Sequence, residues 1–470
     1  MTTATVVGSG PNGLAAALTL AEAGVQVHVV EAADTLGGGV RSAELTLPGL
    51  VHDECSGFHP LAVGTAFARA FDLAGAGLTW RWAPVEFSHP LDGGTGAALR
   101  RSVEVTAAGL GTDGTSWQRM FGPLTDRFDT VVEEFVQPML HVPRHPFHLA
   151  RFGAYAALPA RTLARRWEHP EARALFAGAA AHAFRPLGTP FSSAVGVALA
   201  TSAHAYGWPV AEGGSAAIAR AVVALARQRG VTFETGRRVD HLADLDTDLV
   251  LLDTAPRAAA DIIGDRLPAG VARAYRRYRH GPGAFKVDYA VEGGVPWAHG
   301  ESRQAGTVHV GGSFEEVAAA ERQVTRGRMP ERPFVLVGQQ GVADPGRTRD
   351  GVHPVYTYAH VPAGFTGDAT TAITAQLERF APGFRERVLA THVRSTARIA
   401  ADNANFVGGD ILTGANDPLQ VVFRPRLAAD PYATGVPGVF LCSAATPPGA
   451  GAHGMCGWNA ARAALAHLTR

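Results

Sequence analysis

A glycine-rich turn near the start of the chain constrains its fold more than any other feature. Residues 5–13 read Thr-Val-Val-Gly-Ser-Gly-Pro-Asn-Gly, a short apolar strand that runs into the spacing Gly-x-Gly-x-x-Gly. In this pattern Gly8 permits the tight turn, Gly10 lets a pyrophosphate approach the backbone, and Gly13 lets the helix pack on the strand. The helix beginning near Pro11 presents its positive end to the phosphates. The chain is therefore predicted to begin with a βαβ unit that binds a dinucleotide.

An acidic residue completes this fingerprint. Glu31 follows the apolar run 27–30 and lies 18 residues beyond Gly13. A carboxylate at this place accepts hydrogen bonds from ribose hydroxyls and disfavours a 2′-phosphate. We expect Glu31 and its neighbour Ala32 to contact the adenosine half of the ligand. The alternative is a strand–helix turn that binds no phosphate; the complete strand–turn–helix–strand–acid context favours binding.

The composition argues against a nucleic-acid partner and against a membrane-spanning helix. Lys and Arg together number 42, as do Asp and Glu, so no basic excess indicates nucleic acid. No run of about 18 apolar residues predicts a membrane-spanning helix. Because the first strand starts at once, we expect no signal peptide and a cytoplasmic location.

The cysteines are few and widely spaced. Cys55, Cys442 and Cys456 form no Cys-x-x-Cys pair, which argues against a redox dithiol and against a zinc site of standard spacing. The histidines show no spacing typical of a metal site, and we expect no metal. Buried free thiols are the favoured interpretation.

Lysine usage is unusual. Lys286 is the single lysine of the chain, in the strand-like run 283–290, and every other basic side chain is arginine. Arginine cannot lose its proton in a protein, whereas lysine is compact and tunable. The alternative is that Lys286 survives by chance under a strong compositional bias.

The order of elements predicts an α/β protein with a discontinuous domain. Apolar strands at 249–252 and 438–442, far from the N-terminal fingerprint, resemble central strands of a parallel sheet. Three separated segments are therefore expected to form one Rossmann-type domain, with the others laid over it. The predicted units are a nucleotide-binding domain from 1–61, 206–282 and 430–470, a mostly helical insertion at 62–205, and an α+β, mixed-sheet substrate-binding domain at 283–429.

The last strand runs into a loop of small residues and then a helix. Residues 441–457 read Leu-Cys-Ser-Ala-Ala-Thr-Pro-Pro-Gly-Ala-Gly-Ala-His-Gly-Met-Cys-Gly. A loop this small can follow a planar ring closely, and helix N–H groups stabilise the negative charge of a reduced flavin. The alternative is an ordinary surface loop before a helix.

This closing segment resembles the C-terminal FAD motif of the phytoene desaturase-like flavoproteins. The similarity extends to segments 207–215, 283–290, 308–312 and 405–410 and covers nearly the whole chain. These segments are most similar to the phytoene dehydrogenase-related branch, which includes pyridine nucleotide-disulfide oxidoreductase domain-containing protein 2. The resemblance implies bound FAD on a fold shared with amine oxidases; the disulfide chemistry in that name does not transfer, because Cys-x-x-Cys is absent.

The resemblance also implies where FAD would lie. It assigns residues at both ends of the chain to the pyrophosphate, the adenosine, the ribityl chain and the flavin ring. The implied cofactor residues are Gly8, Gly10, Pro11, Asn12, Gly13, Glu31, Ala32, Gly38, Gly39, Arg41, Val239, Ser443, Ala444, His453, Gly454 and Met455. Ser443 departs from the glycine usual at its position, which weakens the ribityl assignment but not the flavin assignment.

Two residues are predicted to take part in catalysis. In the amine-oxidase relatives a strand lysine holds a water near flavin N5, and the resemblance implies that Lys286 does so here. His59, in the loop after the second strand, is a candidate base or substrate contact; a structural histidine is the alternative. Trp458 could pack on the flavin, but core packing is favoured. Arg424 could face the substrate cavity, but a surface ion pair is favoured. Helices within 146–167 resemble those with which desaturases touch membranes, although an ordinary half-buried helix is favoured.

The function predicted from these features is that of an FAD-dependent oxidoreductase. Hydride would pass from a fairly hydrophobic small molecule to flavin N5, and oxygen, a quinone or another acceptor would reoxidise the flavin. C–C desaturation is the first choice and C–N oxidation of an amine the second. A non-catalytic FAD-binding interaction protein and a flavin-free NAD-dependent dehydrogenase are the alternatives. The location is expected to be cytoplasmic, with peripheral membrane contact left open; the sequence does not give the oligomeric state.

Overall fold

A computed structural model describes residues 1–468 and shows an α/β fold built on two large sheets. The strands are β1 Thr3–Val7, β2 Gln26–Val30, β3 Ser42–Glu44, β4 Val51–Asp53, β5 Trp80–Arg81, β6 Val85–Pro90, β7 Gly96–Leu99, β8 Val210–Ala211, β9 Thr232–Glu234, β10 Leu249–Leu252, β11 Gly283–Glu292, β12 Ala305–Val310, β13 Val335–Gly338, β14 Val352–Val361, β15 Val388–Arg394 and β16 Val439–Leu441.

The α-helices are α1 Pro11–Glu22, α2 Ala66–Ala70, α3 Val103–Gly109, α4 Gly114–Thr125, α5 Phe128–Phe135, α6 Pro146–Ala156, α7 Ala160–Leu163, α8 Pro170–Ala181, α9 Ala194–Ala205, α10 Ala216–Gln228, α11 Pro256–Ile263, α12 Ala269–Arg276, α13 Phe314–Thr325, α14 Gln340–Ala343, α15 Thr370–Phe380, α16 Thr396–Asp402, α17 Pro418–Val422 and α18 Met455–Leu468. Several short 3-10 turns connect them.

The first sheet is fully parallel and draws on distant parts of the chain. Its order is β16-β10-β1-β2-β9. β10 is buried along its whole length because helices cover both faces of such a sheet. The strands come from all three segments assigned to the nucleotide-binding domain, although the domain limits themselves stay predictions.

The carboxyl ends of four of these strands meet at one edge. Val7, Val30, Leu252 and Leu441 end β1, β2, β10 and β16 and lead into the residues that follow them there. In open parallel sheets ligands bind outside this edge, where the strand order changes direction. The fold therefore brings the fingerprint, Glu31, Asp253 and Ser443 to one place.

The second sheet is mixed and has the order β15-β11-β14-β13-β12-β6-β7. Its last two strands come from residues 85–99, within the segment expected to be mostly helical, and β6 runs parallel to β12. β6 is buried throughout, so its side chains contribute to the core even though the run shows no clean alternation. The second sheet is thus larger than the sequence indicated.

The helices of 103–205 form a layer beside the second sheet, and α18 packs closely on α1. The side chains of Trp117, Phe121, Phe128 and Phe176 are fully buried in this helical layer. Within the part of the chain that the structure describes, no helix has the length and apolar character needed to cross a membrane.

Candidate active site

A cavity of about 630 Å³ opens at the carboxyl edge of the parallel sheet and continues to the face of the second sheet. Its volume is typical of small-molecule sites. Its walls include the fingerprint turn, the loop 55–62 and the closing segment 443–452. Seven of the residues predicted for the site line it: Gly10, Pro11, Asn12, Gly39, His59, Ser443 and Ala444.

The start of α1 is open to this cavity. No side chain caps this helix, which begins with Pro11 after Gly10. Asn12 lines the cavity, and its buried Oδ1 has no partner among the described residues. A Cβ on Gly13 would lie 2.1 Å from the Gly8 carbonyl oxygen, so only glycine fits there. An uncapped helix N-terminus on a glycine turn suits a phosphate group.

Glu31 is oriented beside this turn, as the fingerprint predicts. One carboxylate oxygen accepts from Ser9 N at 2.8 Å and from Ser9 Oγ at 2.6 Å, and the other accepts from Ala33 N at 2.9 Å. These contacts hold the carboxylate in place and leave lone pairs for further hydroxyl groups. Ala32 is exposed at the same tip.

Three further predicted cofactor residues, Gly38, Arg41 and Val239, do not line the cavity. Gly38 lies against Gly10, since a Cβ on Gly38 would stand 2.8 Å from the Gly10 Cα. Arg41 donates to the carbonyls of Gly38 and Asp402, each at 2.9 Å. The side chain of Val239 is buried in a core cluster. Their roles toward a cofactor stay predictions.

Asp253 belongs to the site but was not predicted for it. It follows β10, lines the cavity, and its Oδ2 accepts from Gly13 N at 3.0 Å. Burial raises its pKa to about 7, and the nearby charge of Glu31 adds to this. Asn405, which also lines the cavity, donates to the Asp253 carbonyl at 3.0 Å. An acid directly after an apolar parallel strand was the available signal, because such residues meet at the carboxyl edge.

The start of α18 serves packing more than the sequence suggested. Met455 N donates to Nδ1 of His453 at 3.1 Å, so His453 caps this helix. A Cβ on Gly454 would lie 2.9 Å from the side chains of Ala15 and Phe67. None of the three lines the cavity. Trp458 packs against Phe67 and Phe71, as expected for a core residue.

His59 is a buried, neutral side chain in the cavity wall. Burial lowers its pKa to about 4. Its Nε2 lies 3.0 Å from Ser215 Oγ, whose own proton goes to the Ser56 carbonyl at 2.6 Å. Nε2 must therefore be the donor, an assignment made from the hydrogen-bond network. This leaves Nδ1 as the site that can accept a proton.

Lys286 is fully buried but is absent from the cavity wall among the described residues. Its Nζ binds both carboxylate oxygens of Asp288, two positions along the same strand, and lies 4.4 Å from the centre of the Tyr356 ring. Burial lowers the pKa of Lys286, and Asp288 opposes this effect. Its role over a flavin stays a prediction, and the ion pair shows that its charge is already compensated.

Histidines that are scattered in the sequence meet beside the cavity. His182 lines it, and its Nε2 lies 2.9 Å from Nε2 of His309, so one ring donates to the other. His360 lies close by, and its Nδ1 donates to the Glu321 carboxylate at 2.7 Å. Burial lowers the pKa of His182 to about 3. No cluster of three or more potential metal ligands occurs within residues 1–468.

The remaining cavity walls are largely apolar. Thr307, Leu336, Tyr356 and Tyr358 contribute from β12, β13 and β14 of the second sheet. On the opposite side, helices α5, α6 and α9 supply apolar side chains. These are Phe135, Leu149, Phe152, Ala156, Ala194, Val195, Ala198 and Leu199.

The expectation for Arg424 is wrong. Instead of forming a surface ion pair, it is 3 % exposed, lines the cavity, and has no carboxylate within ion-pair distance among the described residues. It donates to Asn416 Oδ1 at 3.0 Å and to the Ala444 carbonyl at 3.3 Å. The reason is tertiary: the chain after α17 turns inward beneath the closing segment.

Comparisons with known proteins agree with this geometry. Residues 6–73 match the family model of the NAD(P)-binding Rossmann-like domain. The chain is 31 % identical over 256 residues to hydroxyneurosporene desaturase of Cereibacter sphaeroides, which is 50 % of each chain. The chain thus matches about half the length of this desaturase.

Solved structures share the fold over nearly the whole chain at low sequence identity. An oxidoreductase from Methanosarcina mazei has a TM-score of 0.66 at 14 % identity, with 99 % of this chain and 100 % of the other covered. Putrescine oxidase, studied for redesign of its cofactor binding, has a TM-score of 0.62 at 17 % identity, with 100 % and 99 % covered. Cyclohexylamine oxidase from Brevibacterium oxydans has a TM-score of 0.59 at 17 % identity, with both chains fully covered.

These three similarities show the fold alone. Together with the desaturase, they confirm the predicted resemblance. The chain therefore carries an NAD(P)-binding Rossmann-like domain, is similar over half of its length to a desaturase, and shares its fold with putrescine oxidase and cyclohexylamine oxidase.

Proposed function

We propose that this protein is an FAD-dependent oxidoreductase that removes hydrogen from a C–C bond of a largely apolar small molecule. The observation that carries this proposal is one continuous cavity. It joins the uncapped start of α1 to the apolar walls formed by the second sheet and the helical layer. A dinucleotide laid on the fingerprint can extend its other half along the closing segment into that cavity. The relationship to a desaturase supports the same reaction class.

The residues present fit FAD. The open start of α1 suits its pyrophosphate, and the oriented carboxylate of Glu31 suits its ribose hydroxyls. Ser443 and Ala444 line the cavity where the closing segment begins, beside the ribityl chain in this arrangement. When bound, FAD supplies a two-electron acceptor for hydride.

The chain's own residues position the substrate and receive its proton. The apolar walls exclude water from the reacting carbon atoms. Desaturation releases one proton in addition to the hydride, and Nδ1 of His59 is an uncharged acceptor within the cavity wall. Amine oxidation is the weaker alternative, because two buried arginines in the wall would oppose a cationic substrate.

Anaerobic mixing of the purified protein with candidate substrates tests this function. Loss of oxidised-flavin absorbance with an apolar compound that has a saturated C–C bond is the expected result. A protein that purifies without flavin would contradict FAD binding. A flavin that dithionite reduces but no substrate of this class bleaches would favour the non-catalytic FAD-binding alternative.

An apolar surface beside the cavity supports peripheral membrane contact as part of the same proposal. Met139, Leu140 and Val142, between α5 and α6, and Phe147, in the first turn of α6, are exposed, and Met139 also lines the cavity. Scattered exposed apolar residues are ordinary, but a cluster at a cavity mouth is typical of an interaction surface.

Sedimentation with phosphatidylcholine–phosphatidylglycerol vesicles tests this contact. Val142→Glu and Phe147→Glu should each lower the bound fraction, since a charge disfavours burial in the interface. Val105→Glu, at an exposed valine on α3, is the matched control. Equal binding of all three variants and the unmodified protein would contradict a membrane role for this surface.

A further inference from the structure

Four arginines of the described chain are buried, and they fall into two pairs. Arg347 and Arg394 are 3 % and 5 % exposed and contact Asp53 and Asp402 at 2.9 and 2.6 Å. Arg185 and Arg424 are 8 % and 3 % exposed and have no carboxylate within 4.0 Å among residues 1–468. A buried guanidinium without a counter-charge is costly, so this second pair needs an explanation.

The two uncompensated arginines converge on one neutral residue. Arg185 donates from Nη1 to the Asn416 carbonyl at 2.7 Å and from Nη2 to Thr189 Oγ1 at 2.7 Å. Arg424 donates to the Asn416 side chain at 3.0 Å, while its buried Nε has no hydrogen-bond partner within residues 1–468. The structure thus gathers two positive charges around an amide that neutralises neither of them.

The acids nearest this pair are engaged elsewhere. Asp417, the carboxylate that opposes the effect of burial on the pKa of Arg185, binds Arg279 at 2.7 Å. Asp410 accepts from the backbone N–H groups of Gly281 and Leu412. Among residues 1–468, therefore, neither guanidinium has a carboxylate of its own, and a ligand with a negative charge would supply one.

All three side chains, Arg185, Asn416 and Arg424, line the cavity described above. The same cavity carries Phe152, Phe191, Leu199 and Val421. A planar guanidinium offers forked N–H donors that match a carboxylate or phosphate, which a point charge does not. The surroundings are otherwise suited to a hydrocarbon chain.

We propose that Arg185 and Arg424, held by Asn416, form an anion-binding subsite, and that the substrate is an apolar molecule with a carboxylate group. This inference rests on the proposed function and names the substrate class of the same cavity. The oxyanion has two potential sources, the substrate and the pyrophosphate of FAD. The position of the pair favours the substrate, because its hydrogen bonds go to Thr189, Asn416 and Ala444 and none goes to the fingerprint turn.

Isothermal titration of the FAD-loaded protein with decanoate, 1-decanol and decylamine tests the subsite. Decanoate should bind at least tenfold more tightly than either analogue of equal chain length. Arg424→Gln should weaken decanoate binding at least tenfold, which corresponds to about 1.4 kcal/mol. It should leave decanol binding and the FAD content per chain unchanged.

Two further variants keep the test decisive. If Arg424→Gln does not fold, Arg185→Gln carries the same expectations. Arg426→Gln is the matched control, because Arg426 lies two residues further on, is only partly buried and does not line the cavity. It should change neither ligand binding nor FAD content.

Three outcomes would overturn the subsite. These are equal affinity for the three ligands, decanoate binding that is insensitive to both variants, and loss of FAD in folded Arg424→Gln, which would assign the guanidinium to the cofactor's phosphates. Because binding is measured without turnover, selective decanoate binding by a protein whose flavin is never reduced would contradict the proposed function and leave the subsite standing.

Discussion

The two pairs of buried arginines show how the same side chain serves two purposes in one fold. Arg347 sits in a closed arrangement, in which Asp53 also accepts from Ser42 Oγ at 2.8 Å and from Ser215 N at 2.7 Å. Arg424 sits in an open one, in which its guanidinium contacts the neutral acceptors Asn416 and Ala444 and no carboxylate among residues 1–468. Because both side chains are buried, the difference lies in whether the chain supplies the negative charge.

The closed arrangement is structural. The contacts of Asp53 join β4, the loop before α10 and the turn at Arg347, which lie far apart in sequence. Burial alone would raise the pKa of Asp53, but Arg347 and the hydrogen bonds hold it below its usual value. A compensated ion pair of this kind fixes geometry, whereas an uncompensated charge is available to a ligand.

The largest effect is expected from opening the closed pair. Asp53→Asn removes the charge that compensates Arg347 and should lower the free energy of unfolding by about 3–5 kcal/mol, as for other buried pairs that lose one partner. Urea denaturation of the variant beside the unmodified protein measures this. The double variant Asp53→Asn with Arg347→Met should recover part of the loss. A loss below about 1 kcal/mol for Asp53→Asn would mean that the pair is not structural.

Asp253 is a buried acid without a cationic partner among residues 1–468, and its effect on the free energy of unfolding should depend on pH in the opposite way to that of Asp53. The folded-state pKa of Asp253 is raised to about 7, so the folded protein holds its proton more tightly than the unfolded chain. The contribution of Asp253 to the free energy of unfolding is therefore highest at low pH, where Asp253 is protonated in both states. It falls as pH rises from about 4 to 7, by roughly 4 kcal/mol for a pKa raised by about three units. Asp53, whose pKa is lowered, contributes stability that is lost as pH falls.

Asp253→Asn tests this second case, because the amide resembles the protonated acid and can still accept from Gly13 N. The variant should be more stable than the unmodified protein at pH 8 and equal to it at pH 4, as followed by urea denaturation across the range. Asp246→Asn, an exposed position before β10, should change neither curve. Parallel stability curves for Asp253→Asn and the unmodified protein would show that Asp253 is ionised in the folded state.

Removal of an uncompensated arginine should affect stability little. Arg424→Gln eliminates an unpaired buried charge together with two hydrogen bonds, and these effects oppose each other. We expect the free energy of unfolding to change by less than about 1 kcal/mol. If Arg424→Gln lowered the free energy of unfolding as much as Asp53→Asn in the same experiment, Arg424 would be a structural arginine like Arg347, and the contrast between the two pairs would be wrong.

The smallest effect is expected where water can replace the partner. Arg69 and Glu133 form a 2.7 Å ion pair with both side chains more than 40 % exposed. Glu133→Gln should change the free energy of unfolding by at most about 0.5 kcal/mol, and 0.5 M salt should remove the difference. A larger effect would mean that the exposure of an ion pair does not indicate how much it contributes to the free energy of unfolding of this protein.

The sequence predicted the parallel sheet well because its signals are local. Gly8, Gly10 and Gly13 with Glu31 fix a strand, a turn, a helix and a second strand within a short stretch of chain, and the apolar run 249–252 marks a central strand by itself. The pairing of β6 with β12 could not be predicted, because it joins strands more than 200 residues apart. Nothing in residues 85–90 alone shows which sheet they enter.

The candidate site was predicted in the same uneven way. Ser443 lies just after β16 of the parallel sheet, and His59 lies in the loop after β4. Both residues line the cavity. Lys286 pairs with Asp288. This contact could have been predicted from the sequence, because side chains two residues apart in a strand lie on the same face of the sheet. The environment of Arg424 could not be predicted in this way, because its lack of a carboxylate partner among residues 1–468 depends on every segment packed around it.

The strand order of the parallel sheet has a consequence for how the protein is made. β1 and β16 flank β10 in the sheet, yet they are separated by more than 430 residues of chain. A ribosome delivers the fingerprint long before the strand that leads into Ser443, so the nascent chain holds half of its cofactor site while most of the sheet is still missing. Contacts of such long range form late and leave apolar strand edges exposed meanwhile. If the protein binds FAD as proposed, stable binding should therefore follow synthesis of β16.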